Sequence, residues 1–247
     1  MNQKQKIMKK HILIGLMFFG VAIWTAPAAI YYQGTVSGGG TSSGVGTMNT
    51  TITDGNPIGM MNQIAVSGFS LGVGQTADIQ VTLNVSGGVN SDLYAYLSYN
   101  GSSVVLLNRI GVSSGNAFGD TGSGLNNVVL SDAGSANIHT LTGSSAVSGT
   151  YQADGNNISP LGAASTFSSG GGTETLDATF GNMSPNGTWT LYFADVVAGG
   201  GNETLNGWNL DITAVPEPVN WALAVFGGML GMWDAGRWWL KARTSGE

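Results

Sequence analysis

The chain of 247 residues has no cysteine. That excludes a disulfide framework and any thiolate metal site, and leaves stability to a core that must form unaided. Charge is scarce as well, at 9% of residues, with a formal net value of −6. Basic side chains are nearly missing from the body: between residues 29 and 214 only Arg109 stands against eleven acids, Asp54, Asp78, Asp92, Asp120, Asp132, Asp154, Glu174, Asp177, Asp195, Glu203 and Asp211. Binding a polyanion requires Lys and Arg to displace its counterions, so such a segment excludes nucleic acid and repels anionic membrane surfaces. Cations, neutral glycans and proteins remain as partners.

Histidine is equally thin, with His11 and His139 alone. A Ser-His-Asp relay needs an imidazole beside its nucleophile. His139, in Ala136-Asn137-Ile138-His139-Thr140, has no nucleophile-elbow pattern around it and reads as a surface or strand-edge side chain. One His without Cys cannot fill a zinc site unless several carboxylates help. Paired carboxylates for glycoside hydrolysis would need a cleft to give them meaning. The Gly strings Gly38–Gly40 and Gly170–Gly172 lack the strand-then-helix setting and the Lys of a phosphate loop, and read as flexible loops. The expectation is a non-catalytic protein.

What the sequence does have is glycine, 40 residues of it, between short runs of alternating hydrophobicity. Ile79, Val81, Leu83 and Val85 alternate with Asp78, Gln80, Thr82 and Asn84, the period of a strand with one buried face. Leu93–Tyr99 and Val104–Leu107 repeat the pattern across Asn100-Gly101, a hairpin signal. A loop-like stretch, 111–124, follows. Further strands are predicted at Asn127–Leu130, Glu174–Phe180, Thr188–Ala194 and Leu205–Thr213, with Trp189, Leu191, Trp208, Leu210 and Ile212 as the heaviest core residues. Short strands punctuated by turns, without a long amphipathic helix, predict an all-β fold, a jelly-roll-like β-sandwich over 52–214. Residues 29–51 are rich in Gly, Ser and Thr and read as a flexible lead-in, with an early strand near Ile30–Gln33.

Both ends read as addresses. Lys4, Lys6, Lys9 and Lys10 precede an apolar run from Ile12 to Trp24 and small residues at Ala26-Pro27-Ala28, the layout of a secretory signal peptide over 1–28. At the other end Val215-Pro216-Glu217-Pro218 halts the preceding strand, because proline removes backbone donors. Val219 to Leu240 then offers 22 residues, enough for a transmembrane helix needing roughly 20. Asp234 lies three positions before Arg237, close enough to pair on one helix face beside Trp238 and Trp239. Arg237, Lys241 and Arg243 form a basic tail that predicts a cytoplasmic C-terminus with the acidic body outside.

Pro216, Glu217 and Pro218, the helix after them and the basic tail resemble the PEP-CTERM sorting signal of Gram-negative bacteria. That resemblance implies delivery by the secretion machinery to the inner membrane, an exosortase-like sorting enzyme as partner, and transfer to the cell surface or an extracellular polysaccharide matrix.

The body carries a second resemblance. Val81-Thr82-Leu83-Asn84-Val85, Ser91-Asp92-Leu93, the hairpin to Leu106-Leu107-Asn108-Arg109, Gly149-Thr150-Tyr151, Asn186-Gly187-Thr188-Trp189-Thr190-Leu191, Asp195 and Thr204-Leu205-Asn206-Gly207-Trp208-Asn209-Leu210 together resemble the P domain of proprotein convertases. The resemblance implies a jelly roll that supports a neighbouring protease, sometimes with bound calcium, although no protease domain accompanies it in this sequence. Calcium accepts Asp, Glu, Asn and backbone oxygens from loops. Asp92 matches the family's Asp-Leu position, Asp132 follows the strand 128–130 where the family has an acidic pair, and Asp195 ends the Trp189 strand. These three are the candidate calcium ligands, with Asp120 a weaker fourth. The alternative to a structural surface component is a module that binds glycan or protein through Tyr94, Tyr96 or Tyr99, whose rings suit sugar faces and protein contacts.

Overall fold

A computed structural model describes residues 48–217. The expected signal peptide, most of the lead-in, Pro218, the expected transmembrane helix and the basic residues Arg237, Lys241 and Arg243 lie outside the described residues. Among the described residues no helix is long and apolar enough to cross a membrane.

Among the described residues nine strands build two sheets: β1 (Thr50–Ile52), β2 (Asn56–Val66), β3 (Gln75–Gly87), β4 (Leu93–Tyr99), β5 (Ser102–Asn108), β6 (Leu125–Leu130), β7 (Thr150–Tyr151), β8 (Gly187–Asp195) and β9 (Glu203–Pro216). The five-stranded sheet runs β1-β9-β3-β6-β7 and the four-stranded sheet β2-β8-β4-β5. Every pairing is antiparallel except β6 with β7. The fold is an all-β sandwich.

The core follows from alternation. Ile79, Val81, Leu83 and Val85 on β3 face Leu93 and Leu97 on β4 and Trp189, Leu191 and Phe193 on β8, and all are buried. Trp208, Leu210 and Ile212 on β9 are buried in register with Leu83, Val81 and Ile79. Leu205 is buried too, although its parity is wrong for a regular strand. The register shift between Asn84 and Val85 supplies one extra residue on β9 and returns Leu205 to the inner face. The Trp208 indole donates to Asn62 Oδ1 at 2.8 Å and the Trp189 indole to the Pro185 carbonyl at 2.9 Å, so the two largest buried rings leave no polar atom unmatched. The β4–β5 hairpin turns at Asn100 and Gly101 with φ of 49° and 82°, the doubly left-handed turn that Asn-Gly favours.

One predicted strand is a helix. Glu174–Phe180 contains α1 (Leu176–Phe180), because three side-chain oxygens meet its first turn. Thr175 Oγ1 accepts from Ala178 N–H at 3.4 Å, and the Asp132 carboxylate accepts from Leu176 and Asp177 N–H at 3.0 Å each. Leu176 and Phe180, four apart, then share the buried face. Three strands, β1, β2 and β7, were not foreseen. β2 opens on Asn-Pro and holds exposed Ile58 and Met61, which obscure the alternation of its second half, where Asn62, Ile64 and Val66 point inward.

Candidate functional site

Three acids gather at one end of the sandwich. Asp92 closes the short 3₁₀ turn Asn90–Asp92 that links β3 to β4; Asp195 is the last residue of β8, in register with Leu93; Glu203 is the first of β9, in register with Gly87. The Asp92 carbonyl accepts from Val196 N–H at 2.8 Å, tying the β3–β4 loop to the β8–β9 loop. Asp195 and Glu203 are 0% exposed and Asp92 is 8%. Local backbone makes the room: Gly87 and Gly88 both have positive φ, and a Cβ at Gly88 would lie 1.9 Å from Glu203 Oε1. Gly200 in turn packs over Asp92 Oδ2.

Burial and mutual repulsion dominate the electrostatics, with Arg109 a weaker countercharge to Asp92. Burial first, then the Asp195 charge, pushes the Asp92 pKa up to about 6, against a smaller opposing pull from Arg109. Burial, then hydrogen-bond contact with Asp195, pushes Glu203 up to about 8. Glu203 Oε1 accepts from Val89 N–H at 3.1 Å and Asp195 Oδ1 from Val197 N–H at 3.1 Å, while Glu203 Oε2 and Asp195 Oδ2 have no donor. Two carboxyls in contact hold together only with a proton or a cation between them. The donors are all oxygen, the ligand type of calcium. Among the described residues no three His, Cys, Asp or Glu side chains converge on one point, so an ion held by Asp195 and Glu203 would complete its shell with backbone and amide oxygens.

The other two calcium candidates are committed to other partners. Asp132 follows β6, whose Leu130 is in register with Val81, whereas Glu203 is level with Gly87 on the same strand. Six residues of strand put Asp132 roughly 20 Å from the acid cluster, too far for one ion, and both its oxygens serve the N-terminus of α1. Asp120 is next to the cluster but saturated: its carboxylate accepts from Asn90 Nδ2 at 2.9 Å, Gly122 N–H at 3.0 Å and Gly143 N–H at 2.6 Å. It braces the 3₁₀ turn. Glu203 was missed at the sequence level, since a glutamate in a Gly-Asn turn gives no sign that two glycines in the β3–β4 loop make space for it.

No family model, curated protein or solved structure matches this chain. Function therefore rests on the geometry.

His139 is not on the surface or at a strand edge, as its polar setting in the sequence suggested. It is 0% exposed, with Nδ1 2.7 Å from Asp154 Oδ2 and Nε2 2.8 Å from the Val112 carbonyl. Asn137, which caps the 3₁₀ turn Ile138–Thr140, draws the histidine backbone inward. The ring lies parallel to Phe167, over which Arg109 also sits. Both ring nitrogens are occupied by these partners, neither of them a hydroxyl nucleophile.

The tyrosine candidates divide by face. Tyr99 is buried, stacked on Trp189 with its hydroxyl on the carbonyls of Ser184 and Asn186. Tyr94 and Tyr96 point to the outer face of the four-stranded sheet, where they cluster with Tyr192 at centroid distances of 4.8–6.1 Å.

Proposed function

We propose that this chain is a non-catalytic, exported component of a bacterial cell surface or extracellular matrix, a P-domain-like jelly roll sorted through a PEP-CTERM and exosortase-like route. The observation that carries the reading is where β9 ends. β9 ends at Pro216, and Glu217 N–H donates to the Gly74 carbonyl at 3.0 Å. The Pro-Glu-Pro motif thus opens on the last residue of β9, at the rim of the sheet rather than in its core, which supports access by a processing enzyme. The test expresses the full chain in a bacterium with and without its exosortase, followed by cell fractionation and mass spectrometry of the C-terminus. Cleavage near Pro216–Pro218 and transfer out of the inner membrane only in the exosortase-bearing strain is the expected result. An unprocessed chain that fractionates identically in both strains would overturn the sorting route.

The same reading gives calcium a structural role. Asp195 and Glu203 would hold the ion and Asp92 would add charge beside it, replacing mutual repulsion with attraction and locking the β3–β4 and β8–β9 loops. Calorimetry and thermal melting of the chelator-stripped full chain check this. Binding and a higher melting temperature in wild type, both lost in Glu203→Gln, are expected; no response to calcium removes the metal from the account.

A further inference from the structure

Tyr96 and Ser98 occupy alternate positions of β4, and the pleat sends both to the outer face of the four-stranded sheet. Register fixes their neighbours. Tyr96 is level with Tyr192 on β8, and Ser98 is flanked by Thr190 on β8 and Ser103 on β5. An aromatic row therefore runs beside a hydroxyl row. The Tyr96 ring stacks on Tyr192 at 4.8 Å and 12°, and the Tyr192 hydroxyl is fastened to the Pro57 carbonyl, so the platform is held before any ligand arrives. Beyond the hydroxyl row, Thr188 and the Asn100-Gly101 turn complete an open groove of about 440 Å³.

The groove has a definite chemistry. None of its lining residues is charged. The side chains of Asn100, Ser102, Ser103 and Thr188 have no hydrogen-bond partner among the described residues. We infer that the groove binds a neutral polysaccharide, with Tyr96 as the stacking platform and Ser103, Thr188 and Asn100 as the hydrogen-bonding wall. A sugar ring presents an apolar C–H face edged by hydroxyls, which matches one aromatic row beside one hydroxyl row. An acidic polymer finds no cation in the groove and is repelled by the acidic body. An apolar peptide would bury the free hydroxyls without partners. This inference names the matrix partner of the surface module proposed above and rests on that reading only for where the polysaccharide is met.

The test is affinity electrophoresis of the full chain in mild detergent, in native gels containing dextran, laminarin or galactomannan as neutral polymers and alginate as an acidic one. Retardation by at least one neutral polymer, unchanged by added salt, is expected. Tyr96→Ala should weaken it about tenfold or more, Tyr96→Phe should keep it, and Thr188→Val with Ser103→Ala should weaken it without changing the melting temperature. The last pair keeps the test decisive if Tyr96→Ala melts early. Retardation by none of the neutral polymers, retardation by alginate alone, or equal retardation of wild type and all variants would overturn the inference. So would concentration-dependent self-association lost in Tyr96→Ala, which would make the face a contact between copies of the chain. Surface exposure on cells is scored separately by added protease. A chain that stays inside the cell yet binds neutral polymer in the gel sinks the export reading and leaves this one standing.

Discussion

Replacing His139 should damage this domain more than any other single polar change, and the size follows from its contacts. Val112 offers only a carbonyl, so Nε2 must carry a proton; Nδ1 faces Asp154 Oδ2 at 2.7 Å, so a second proton must sit between them. The pair accordingly holds one proton more than neutral His with ionised Asp. Burial pulls the His139 pKa down, but the hydrogen bond and charge of Asp154 outweigh it and leave the pKa above its usual 6.5; burial raises that of Asp154 more than His139 lowers it. Both partners move in the same direction. Each raised group contributes stability that is present at low pH and lost as pH rises through its folded pKa. His139→Ala strands a fully buried carboxylate that keeps only the Asn108 and Asn156 N–H donors, each at 3.2 Å. The loss should be about 3–5 kcal/mol, against a total of about 5–15 kcal/mol for a typical domain. Asp154→Asn should lose less, about 1–2 kcal/mol, because its amide can donate to Nδ1 of a neutral imidazole that still donates to Val112. Urea denaturation at pH 6 and pH 9 measures both effects. Wild type should weaken over that interval, and Asp154→Asn should weaken less. Equal pH slopes, or a loss under about 1 kcal/mol in His139→Ala, would refute the buried-pair argument.

Asp177 offers an independent pH test. Burial raises its pKa to about 7 against the Ile79 N–H bond, with Asp132 and Asp78 adding to the rise, so its contribution is also lost as pH climbs from 3.8 toward 7. Asp177→Asn should gain on wild type between pH 5 and pH 8 in thermal melts, with the gap widening as pH rises. Asn62→Leu should destabilise by about 1–3 kcal/mol in chemical denaturation, because the Trp208 indole N–H is left buried and unpaired. Gly88→Ala should lower the melting temperature and abolish any calcium response, since φ of +56° is strained for alanine and the added carbon would collide with the Glu203 carboxyl.

The strands that alternate cleanly were legible from sequence, and those that do not were hidden. β3, β4, β8 and β9 read correctly because inward apolar residues alternate with more exposed ones along much of each, and β5 because its apolar run Val104–Leu107, buried on both faces, follows the Asn100-Gly101 turn. β6 was placed within two residues. Glu174–Phe180 failed because Leu176 and Phe180 fit a helix spacing as well as a strand's, and the deciding group, Asp132, is 44 residues away in the chain. Parity in β9 could not be followed through Leu205, because the bulge that restores it depends on pairing with β3.

The site was legible in residue type and illegible in grouping. Asp92 was marked by the Asp-Leu position of the P-domain resemblance and Asp195 by its place at the end of the Trp189 strand, yet the third member of their cluster is Glu203, and both oxygens of Asp132 cap α1. His139 shows the same limit, since its partner Asp154 carries no local signal. What unites these groups is a physical need the composition created. Without cysteine, the loops after β5, β7 and β8 have no covalent staple, and buried acids pin them instead: Asp120 in the first, Asp154 in the second, Asp195 and Glu203 at the two ends of the third. Asp120 and Asp154 are satisfied by N–H donors and His139. Of these four acids, Asp195 and Glu203 each keep one oxygen without a partner, so the stability of that end of the sandwich must answer to whichever occupant, proton or calcium, the surroundings supply.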